Sequence, residues 1–227
     1  MYTERPSSLP STILWTGRAE HDTQVHRVLP DGCMDIILAG DALYVAGPDT
    51  TAHQTTWTRR SFTGLRFGHG VGPRVIGIPA HHLRNRLVLL ADVWPAADTR
   101  RLTEQLRAAP APGDLLERVV ARRLDQAEPP DPLARFTEER LRAGWRVDDV
   151  AAAAGLSSRQ LHRRSLDAFG YGPKTLARIL RFNHALRLGR RGVAAAEAAV
   201  VSGYADQAHL ARETRALGGT TFRSLVA

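Results

Sequence analysis

The sequence predicts an α+β fold, with a β-rich N-terminal domain closed by helices and an all-α C-terminal domain. Three observations predict it. Short apolar and β-branched runs separated by turn residues fill the first 80 positions, apolar residues recur at helical spacing after them, and a duplicated segment follows a proline-rich stretch. We therefore expect one domain at residues 1–127, a linker at 128–132 and a second domain at 133–227.

The first domain is predicted to begin with strands and to end with helices. The β-branched or apolar runs are residues 24–29, 34–38, 42–46, 61–67 and 74–78, and clusters of Gly, Pro and Asp separate them. Apolar residues at helical spacing predict helices within residues 81–94, 98–108 and 113–126. The prolines of the linker then end the helical pattern, since proline cannot continue a helix.

Composition excludes several classes of protein. The chain has no run of about 18 apolar residues, and its first ten residues lack the basic start and apolar run of a signal peptide. We expect a cytoplasmic protein that makes no membrane contact. The single cysteine, Cys33, cannot form an internal disulfide and cannot alone form a structural zinc site, which takes about four Cys or His ligands.

The net charge of +8 is concentrated in the second half of the chain. Residues 131–227 hold 16 of the 31 basic residues but only 9 of the 23 acidic ones, which leaves +7 there and +1 in residues 1–130. A basic domain joined to a nearly neutral one is typical of a protein that binds a polyanion.

The C-terminal half contains the same unit twice. An alanine is followed four residues later by glycine, then by an apolar residue, a helix-capping residue, and a Leu and an Arg four and six residues beyond the cap. The two copies use Gly155 with Ser157 and Gly203 with Asp206. Glycine permits the left-handed conformation of a tight turn, and Ser or Asp caps the next helix, so each copy predicts a helix-turn-helix.

The second helix of each copy is predicted to present a hydrogen-bonding face. In the first copy Arg159, His162 and Arg163 lie outward, while Leu161 and Ser165 lie toward the core. In the second copy the outward stripe and the positions beside it hold Gln207, His209, Arg212 and Arg215. The opposite face holds Leu210, Thr214 and Leu217. Arginine pairs with guanine and glutamine with adenine in the major groove, so both faces suit duplex DNA.

With these residues in view, the chain from about residue 135 resembles the AraC/XylS-type transcription regulators. The matching segments are VDDVAAAAGLSSRQLHRRSLDAFGYGPKTLARILRFNHAL and AAVVSGYADQAHLARETRALGG. The resemblance implies two helix-turn-helix units joined by a long helix that starts at Pro173, with the two recognition helices in successive major grooves of double-stranded DNA. It implies a sequence-specific regulator with RNA polymerase as a further candidate partner.

The resemblance also assigns roles to single residues. It implies base contacts by Arg159, His162, Arg163, Gln207, His209 and Arg212, and phosphate contacts by Ser158, Lys174 and Arg178, to which Arg215 on the outward stripe is added. Two departures stand out. Ser165 and Thr214 occupy positions where the family usually has an aromatic residue, and no proline follows the last glycine, so Phe222 or Leu225 must close the second unit.

The role of the N-terminal domain stays open. PDGCMDIIL, VAGPDT and GLRFGHGVGPRVIGIPAHHL resemble the front domain of a subgroup of these regulators, a sensor or oligomerisation domain without a named ligand. Either a small-molecule effector binds a pocket lined by aromatic residues, or the domain only dimerises and the protein binds DNA constitutively, as a monomer or a homodimer. The pocket residues in question are Trp15, Trp57, Phe62, Phe67 and Trp94.

A metal-dependent or Cys33-dependent enzyme or repair protein is the remote alternative. Cys33 lies between Asp31 and Asp35, but a zinc-activated alkyl acceptor needs further cysteines. The histidines that a metal site would draw on are scattered, namely His21, His26, His53, His69, His81 and His82, and no H-E-x-x-H motif is present. We expect no catalytic residue, no metal and no cofactor.

Overall fold

The computed structural model describes residues 2–18, 23–58 and 61–227. The strands are β1 (Tyr2–Pro6), β2 (Thr12–Arg18), β3 (Thr23–Val28), β4 (Met34–Ala39), β5 (Ala42–Ala46), β6 (His53–Thr58), β7 (Ser61–Phe67) and β8 (Leu87–Leu89). The helices are α1 (Gly72–Ile76), α2 (Ala96–Ala108), α3 (Pro112–Gln126), α4 (Pro132–Arg142), α5 (Val147–Ala153), α6 (Ser158–Phe169), α7 (Pro173–Arg190), α8 (Ala195–Val201), α9 (Gln207–Gly218) and α10 (Phe222–Val226).

The N-terminal domain is a sheet covered on one face by helices. Its strands are antiparallel neighbours in the order β1-β2-β7-β4-β5-β8, and β3 pairs with β6 in a separate two-stranded ribbon. Alternate residues of the central strands, such as Leu14, Ile36 and Leu65, point to one face and are buried with Leu106 of α2 and Leu116 of α3. This face carries the core of the domain.

The predicted fold class is confirmed, although several elements differ from the prediction. The runs at 24–29, 34–38, 42–46 and 61–67 are β3, β4, β5 and β7, and the helices at 98–108 and 113–126 are α2 and α3. The prediction for residues 81–94 was wrong, because 3-10 turns at Ala80–Leu83 and Leu90–Asp92 flank β8 there. The pattern did not reveal β1, β2, β6 or β8.

The predicted strand at residues 74–78 was also wrong, because the helix α1 lies there instead. Pro73 occupies the first turn of α1, where its fixed φ favours a helix and its missing N–H costs nothing. Gly77 ends the helix with φ 92°, in the left-handed conformation. Val75 and Ile76 are both buried, which a half-buried strand with alternating faces would not achieve.

The C-terminal domain has two small cores joined by α7. This helix of 18 residues buries Leu176, Ile179 and Leu180 in a first core with α4, α5 and α6. Its second half buries Phe182 and Leu186 in a second core with α8, α9 and α10. The structure therefore has the two helical units and the long connecting helix that the resemblance implies.

Two further expectations concern the closing and the boundary of this domain. Phe222 is buried in the second core and Leu225 packs against it, so α10 supplies the closing contacts that the missing proline left open. The helix α3 ends at Gln126 and α4 begins at Pro132, with the Asp131 side chain accepting a hydrogen bond from the Leu133 N–H at 3.0 Å.

In the described part of the chain, no helix has the length and apolar character that crossing a membrane requires.

Candidate nucleic-acid interface

The first helix-turn-helix is formed by α5 and α6. Gly155 takes φ 67° in the turn, and a side chain there would be strained because the residue is left-handed. Ser157 then caps α6: its hydroxyl accepts from the Gln160 N–H at 3.2 Å, and the Gln160 side chain accepts from the Ser157 N–H at 2.9 Å. This reciprocal pair is a capping box, and it fixes where the recognition helix begins.

The second helix-turn-helix, formed by α8 and α9, has the same construction with different residues. Gly203 has φ 77°, Tyr204 is buried beneath the turn, and the Asp206 carboxylate accepts from the His209 N–H at 2.6 Å. The predicted turn and cap residues thus occupy their predicted places in both copies. The repeated sequence pattern produces a repeated structure because each of these interactions lies within one or two turns of chain.

The first recognition helix, α6, exposes its predicted base-reading residues. Leu161 and Ser165 are buried, whereas Arg159, His162 and Arg163 are exposed. The His162 ring lies over Gly172 at the start of α7, where an added Cβ would stand 2.4 Å from the ring. The outward face therefore carries two arginines with no ion-pair partner among residues 2–18, 23–58 and 61–227, next to a histidine packed on glycine.

The second recognition helix, α9, exposes fewer of them. Leu210, Thr214 and Leu217 are buried as predicted, and Gln207 and Arg212 are exposed. The His209 ring instead packs edge-on against Tyr204, with 5.2 Å between centroids, and its Nδ1 accepts from the Ala205 N–H at 3.4 Å. These contacts hold the His209 side chain against the turn before α9, which is a structural role. Base contact by His209 stays a prediction, and it would require the ring to leave these contacts.

The four predicted phosphate contacts differ in their surroundings. Lys174 is exposed at the start of α7, and Arg215 is exposed in the last turn of α9. The Ser158 hydroxyl donates to the Asp148 carboxylate at 2.8 Å. Arg178 donates two hydrogen bonds to Glu213, at 2.9 and 3.0 Å. All four roles stay predictions, and the last two residues would have to leave existing partners to meet phosphate.

The bridge from Arg178 to Glu213 ties the recognition helix α9 to the long helix α7. The Arg178 guanidinium holds the pKa of Glu213 below its ordinary value, mainly through the hydrogen bonds. Fork-to-fork pairing of this kind fixes geometry as well as charge. Sequence reasoning missed Glu213, because its partner lies 35 residues away and on another helix.

The aromatic residues proposed to line one effector pocket do not lie together. Phe67 and Trp94 are buried in the core beneath α2 and α3, and the Trp94 Nε1 donates to the Ile76 carbonyl at 3.0 Å. Trp15 and Phe62 lie on the opposite face of the sheet, since the strand register separates them from Phe67 by an odd number of positions. The side chain of Trp57 lies outside the described part. The single pocket was therefore a wrong prediction.

Trp15 belongs to a buried polar cluster on that opposite face. Its Nε1 donates to the Asp35 carboxylate at 2.6 Å, and the Arg66 Nε lies 3.4 Å from Asp35 and 3.5 Å from Asp31. Burial raises the pKa of Asp35 to about 6, although Arg66 opposes the shift. The two aspartates that flank Cys33 in the sequence thus have structural partners.

Neither the cysteine nor the histidines form a reactive site in the described residues. Burial, followed by the nearby Asp31 and Asp35 carboxylates, raises the pKa of the Cys33 thiol well above its ordinary value, which disfavours the nucleophilic thiolate. His53, His69 and His81 each face a single carboxylate. Within residues 2–18, 23–58 and 61–227, no three His, Cys, Asp or Glu side chains are grouped to hold a metal ion, and His21 lies outside these residues.

Comparison with protein families gives two matches along the chain. Residues 150–226 match the model of a helix-turn-helix domain, and residues 12–89 match a domain of unknown function (DUF6597). The first match covers both helix-turn-helix units described above. A search of curated proteins finds no match.

Solved structures with a similar fold include an apo form of ToxT from Vibrio cholerae, at 11% identity and a TM-score of 0.50, covering 97% of this chain and 98% of that one. Unsaturated fatty acid bound ToxT from the same organism has 12% identity, a TM-score of 0.47 and 97% coverage of both chains. A probable AraC family transcriptional regulator from Rhodopseudomonas palustris is 26% identical over 42% of this chain and 95% of its own, with a TM-score of 0.37.

Proposed function

We propose that this chain, which carries an AraC-type helix-turn-helix domain at its C-terminus, is a sequence-specific DNA-binding transcription regulator and not an enzyme. In this proposal α6 and α9 enter successive major grooves on one face of duplex DNA, about 34 Å or one helical turn apart. Arg159, Arg163, Gln207 and Arg212 read base edges, and His162 and His209 contribute where their packing permits.

The observation that supports this proposal best is the duplicated unit with its exposed cationic face. Both recognition helices are capped at a fixed residue, bury their inner stripe and leave the arginines Arg159, Arg163 and Arg212 exposed, without an ion-pair partner in the described chain. The domain around them carries +7 of the net charge of +8. This charge supplies the non-specific part of DNA affinity, and side-chain contacts to bases supply the discrimination.

The test is selection of bound sequences from a random pool of duplex DNA by the full-length protein at near-physiological salt. We expect an enriched motif with two elements about one turn apart. Arg163→Ala and Arg212→Ala should each remove the preference for one element, at a cost of about 1–3 kcal/mol on the selected site.

The matched control is Arg135→Ala, which removes one positive charge from the same domain but on α4, where Arg135 pairs with Glu139. This variant should keep both elements. An equal loss of affinity for selected and random duplexes in Arg163→Ala and Arg212→Ala would instead assign both arginines to phosphate contact. Absence of any enriched motif in the wild-type protein would contradict sequence-specific binding.

For the N-terminal domain, gating by a small effector is the first candidate and dimerisation alone is the second. A groove of about 350 Å³ lies between β5 and α2, lined by apolar Leu43 and Leu89 and by charged side chains including Arg100 and Glu104. Next to it Leu87 is 61% exposed on β8, at the edge of the sheet. The groove supports ligand binding, and the exposed edge supports pairing with a second copy.

Two measurements separate these candidates. Sedimentation of the purified protein over a range of concentrations reports dimerisation, and Leu87→Glu should abolish a dimer formed at this edge. A melting temperature that rises with an added small molecule, and no longer rises in Ala91→Trp at a partly exposed position of the groove, would place an effector in the groove.

A further inference from the structure

The C-terminal end of the first recognition helix rests against the N-terminal domain. Helix α6 ends at Phe169, and Gly170, the residue after it, has φ 82°; the Arg84 Nη1 donates to the Gly170 carbonyl at 3.5 Å. Pro48 also packs here, since an added Cβ on Gly170 would lie 2.4 Å from its Cγ. The carbonyls in the last turn of a helix lack partners within the helix and carry partial negative charge, so an arginine is well suited to this position.

The C-terminal end of the second recognition helix is held in the same way by a different part of the same domain. The Arg27 Nη1 on β3 donates to the Gly218 carbonyl at 3.1 Å, and the Ala52 N–H donates to the Leu217 carbonyl at 2.6 Å. Nearby, the Asn183 side chain of α7 donates to the Pro30 carbonyl at 2.8 Å. One arginine of the N-terminal domain therefore contacts the carbonyl just beyond the end of α6, and another contacts the last carbonyl of α9.

The opposite ends of both helices remain accessible. The candidate base-reading residues Arg159, Arg163 and Gln207 lie in the first half of their helices and are exposed. In helix-turn-helix proteins it is the N-terminal residues of the recognition helix that contact base edges. Contact with the N-terminal domain therefore leaves these candidate base-reading residues exposed. The same contact constrains the position of the two recognition helices relative to each other.

We propose that Arg27 and Arg84 are positioning residues that clamp the two recognition helices at one separation, so that the N-terminal domain sets the spacing of DNA elements that the protein accepts. This inference rests on the proposed function. Adding one base pair between the elements moves one of them by about 3.4 Å and rotates it by about a tenth of a turn. Two helices at a fixed separation cannot follow that shift, whereas helices joined by α7 alone have more freedom.

The first test measures the helix separation without DNA. Spin labels on Ala152→Cys in α5 and Ala196→Cys in α8, both exposed and outside the predicted base-contacting surface, report the distance between the two units. The native Cys33 is only partly buried, so it is replaced by alanine in every labelled protein. The otherwise wild-type labelled protein should give a narrow distance distribution. Arg27→Ala with Arg84→Ala should broaden or shift it, and Arg101→Ala, an exposed arginine on α2, should leave it unchanged.

The second test uses the duplex selected by the wild-type protein, with the separation of its two elements changed by one base pair in either direction. The wild-type protein and Arg101→Ala should lose about tenfold or more in affinity, because one helix loses its base contacts. The Arg27→Ala, Arg84→Ala double variant should lose less than about threefold on the altered duplexes. Both arginines are exposed, so the variants are expected to fold, and their melting curves verify it.

The two tests distinguish failure of the clamp from failure of the proposed function. An unchanged distance distribution in the double variant would overturn the clamp, because α7 and the contacts that do not involve Arg27 or Arg84 would then fix the helices. Spacing selectivity that stays at the wild-type level would overturn it as well. If the distribution broadens but the wild-type protein selects no sequence, the proposed function fails, and with it the role of the clamp in reading spacing.

Discussion

Single polar residues in the helical cores differ in whether their hydrogen bonds are satisfied. Thr214, at a position where an aromatic residue was expected, is fully buried, and its hydroxyl donates to the Leu210 carbonyl at 2.8 Å. Thr137 on α4 is 1% exposed, and its hydroxyl has no hydrogen-bond partner within the described chain. A buried hydroxyl without a partner costs free energy, whereas a bonded one is close to neutral.

Thr137→Val should therefore stabilise the protein. Valine keeps the shape of threonine and removes the unpaired hydroxyl, so we expect the free energy of unfolding to rise by about 1 kcal/mol, measured by denaturant titration. The control is Thr214→Val, which removes a satisfied hydroxyl and should give no such gain. A loss of stability in Thr137→Val, equal to or larger than that in Thr214→Val, would contradict this account.

At the residue scale, the sequence predicts interactions between residues that are close together in the chain. It does not predict those between residues that are far apart in the chain and meet only in the folded protein. Gly155, Ser157, Gly203 and Asp206 were predictable because a turn and a cap are defined by neighbours in the chain. The contacts of Arg178 could not be predicted, since Glu213 reaches it only after α7, α8 and α9 have packed. The resemblance implied a phosphate contact there, and the structure adds a competing partner.

Among the elements, length did not decide which strands were predicted, because the seven-residue β2 was missed and the five-residue β5 was found. Apolar runs in the sequence predict the strands β4, β5 and β7, because these strands lie inside the sheet, with a neighbouring strand on each side. The edge strands β1 and β8 bury few side chains, and in β6 the side chains that the structure describes, at 53–56, are mostly exposed, so these strands leave little pattern. The duplicated helices were predictable because two copies of one pattern support each other.

Helix α4 contacts the N-terminal domain through the Glu138 carboxylate. The Glu138 carboxylate lies 3.1 Å from the His69 Nδ1 and 2.5 Å from the Arg142 Nη2, and the His69 Nε2 lies 3.0 Å from the Asp31 carbonyl. Burial alone would raise the pKa of Glu138, but the hydrogen bonds and charges of His69 and Arg142 outweigh it and lower the pKa to about 2.

This contact predicts a specific acid response. Because the folded pKa of Glu138 lies below its value in the unfolded chain, its stabilisation is complete above about pH 4.5 and disappears as the pH falls through about 2. Glu138→Gln should lower the free energy of unfolding at pH 7 by about 1–2 kcal/mol, allowing for solvent screening. The difference from wild type should shrink toward zero near pH 2, as measured by denaturant titration across this range.

The neighbouring residue provides the control for this prediction. Glu139 forms an exposed ion pair with Arg135 on the same helix, with a side-chain exposure of 58%. Glu139→Gln should change stability by less than about 0.5 kcal/mol, because exposed pairs of this type contribute little. A pH-independent loss in Glu138→Gln would assign its role to packing instead of charge.

Across the whole molecule, the acidic side chains of the C-terminal domain are mostly committed to partners. Asp131 binds Arg164, Glu138 and Glu139 bind arginines of α4, and Glu213 binds Arg178. The cations without an ion-pair partner in the part of the chain that the structure describes include Arg159, Arg163, Lys174, Arg212 and Arg215. Part of the excess positive charge of the domain therefore lies on α6, α9 and the start of α7, and another part lies toward the end of α7, at Arg187, Arg190 and Arg191.

The salt dependence of DNA binding decides which cations meet phosphate. Each phosphate contact adds about −0.9 to the slope of log K against log salt concentration. Lys174→Ala should make the slope on a random-sequence duplex shallower by about one unit, because Lys174 is exposed and has no ion-pair partner in the described residues. Arg178→Ala should leave the slope nearly unchanged, since Glu213 already neutralises its charge.

The control for both variants is Arg135→Ala, which should leave the slope at the wild-type value. Arg135 and Arg178 carry the same charge, and each pairs with a glutamate, but Arg135 lies on α4, away from the recognition helices. If Arg178→Ala instead reduces the slope as much as Lys174→Ala, Arg178 exchanges Glu213 for a phosphate on binding. DNA would then release the bridge that ties α9 to α7, and the second recognition helix would be positioned on the duplex by the phosphate contact.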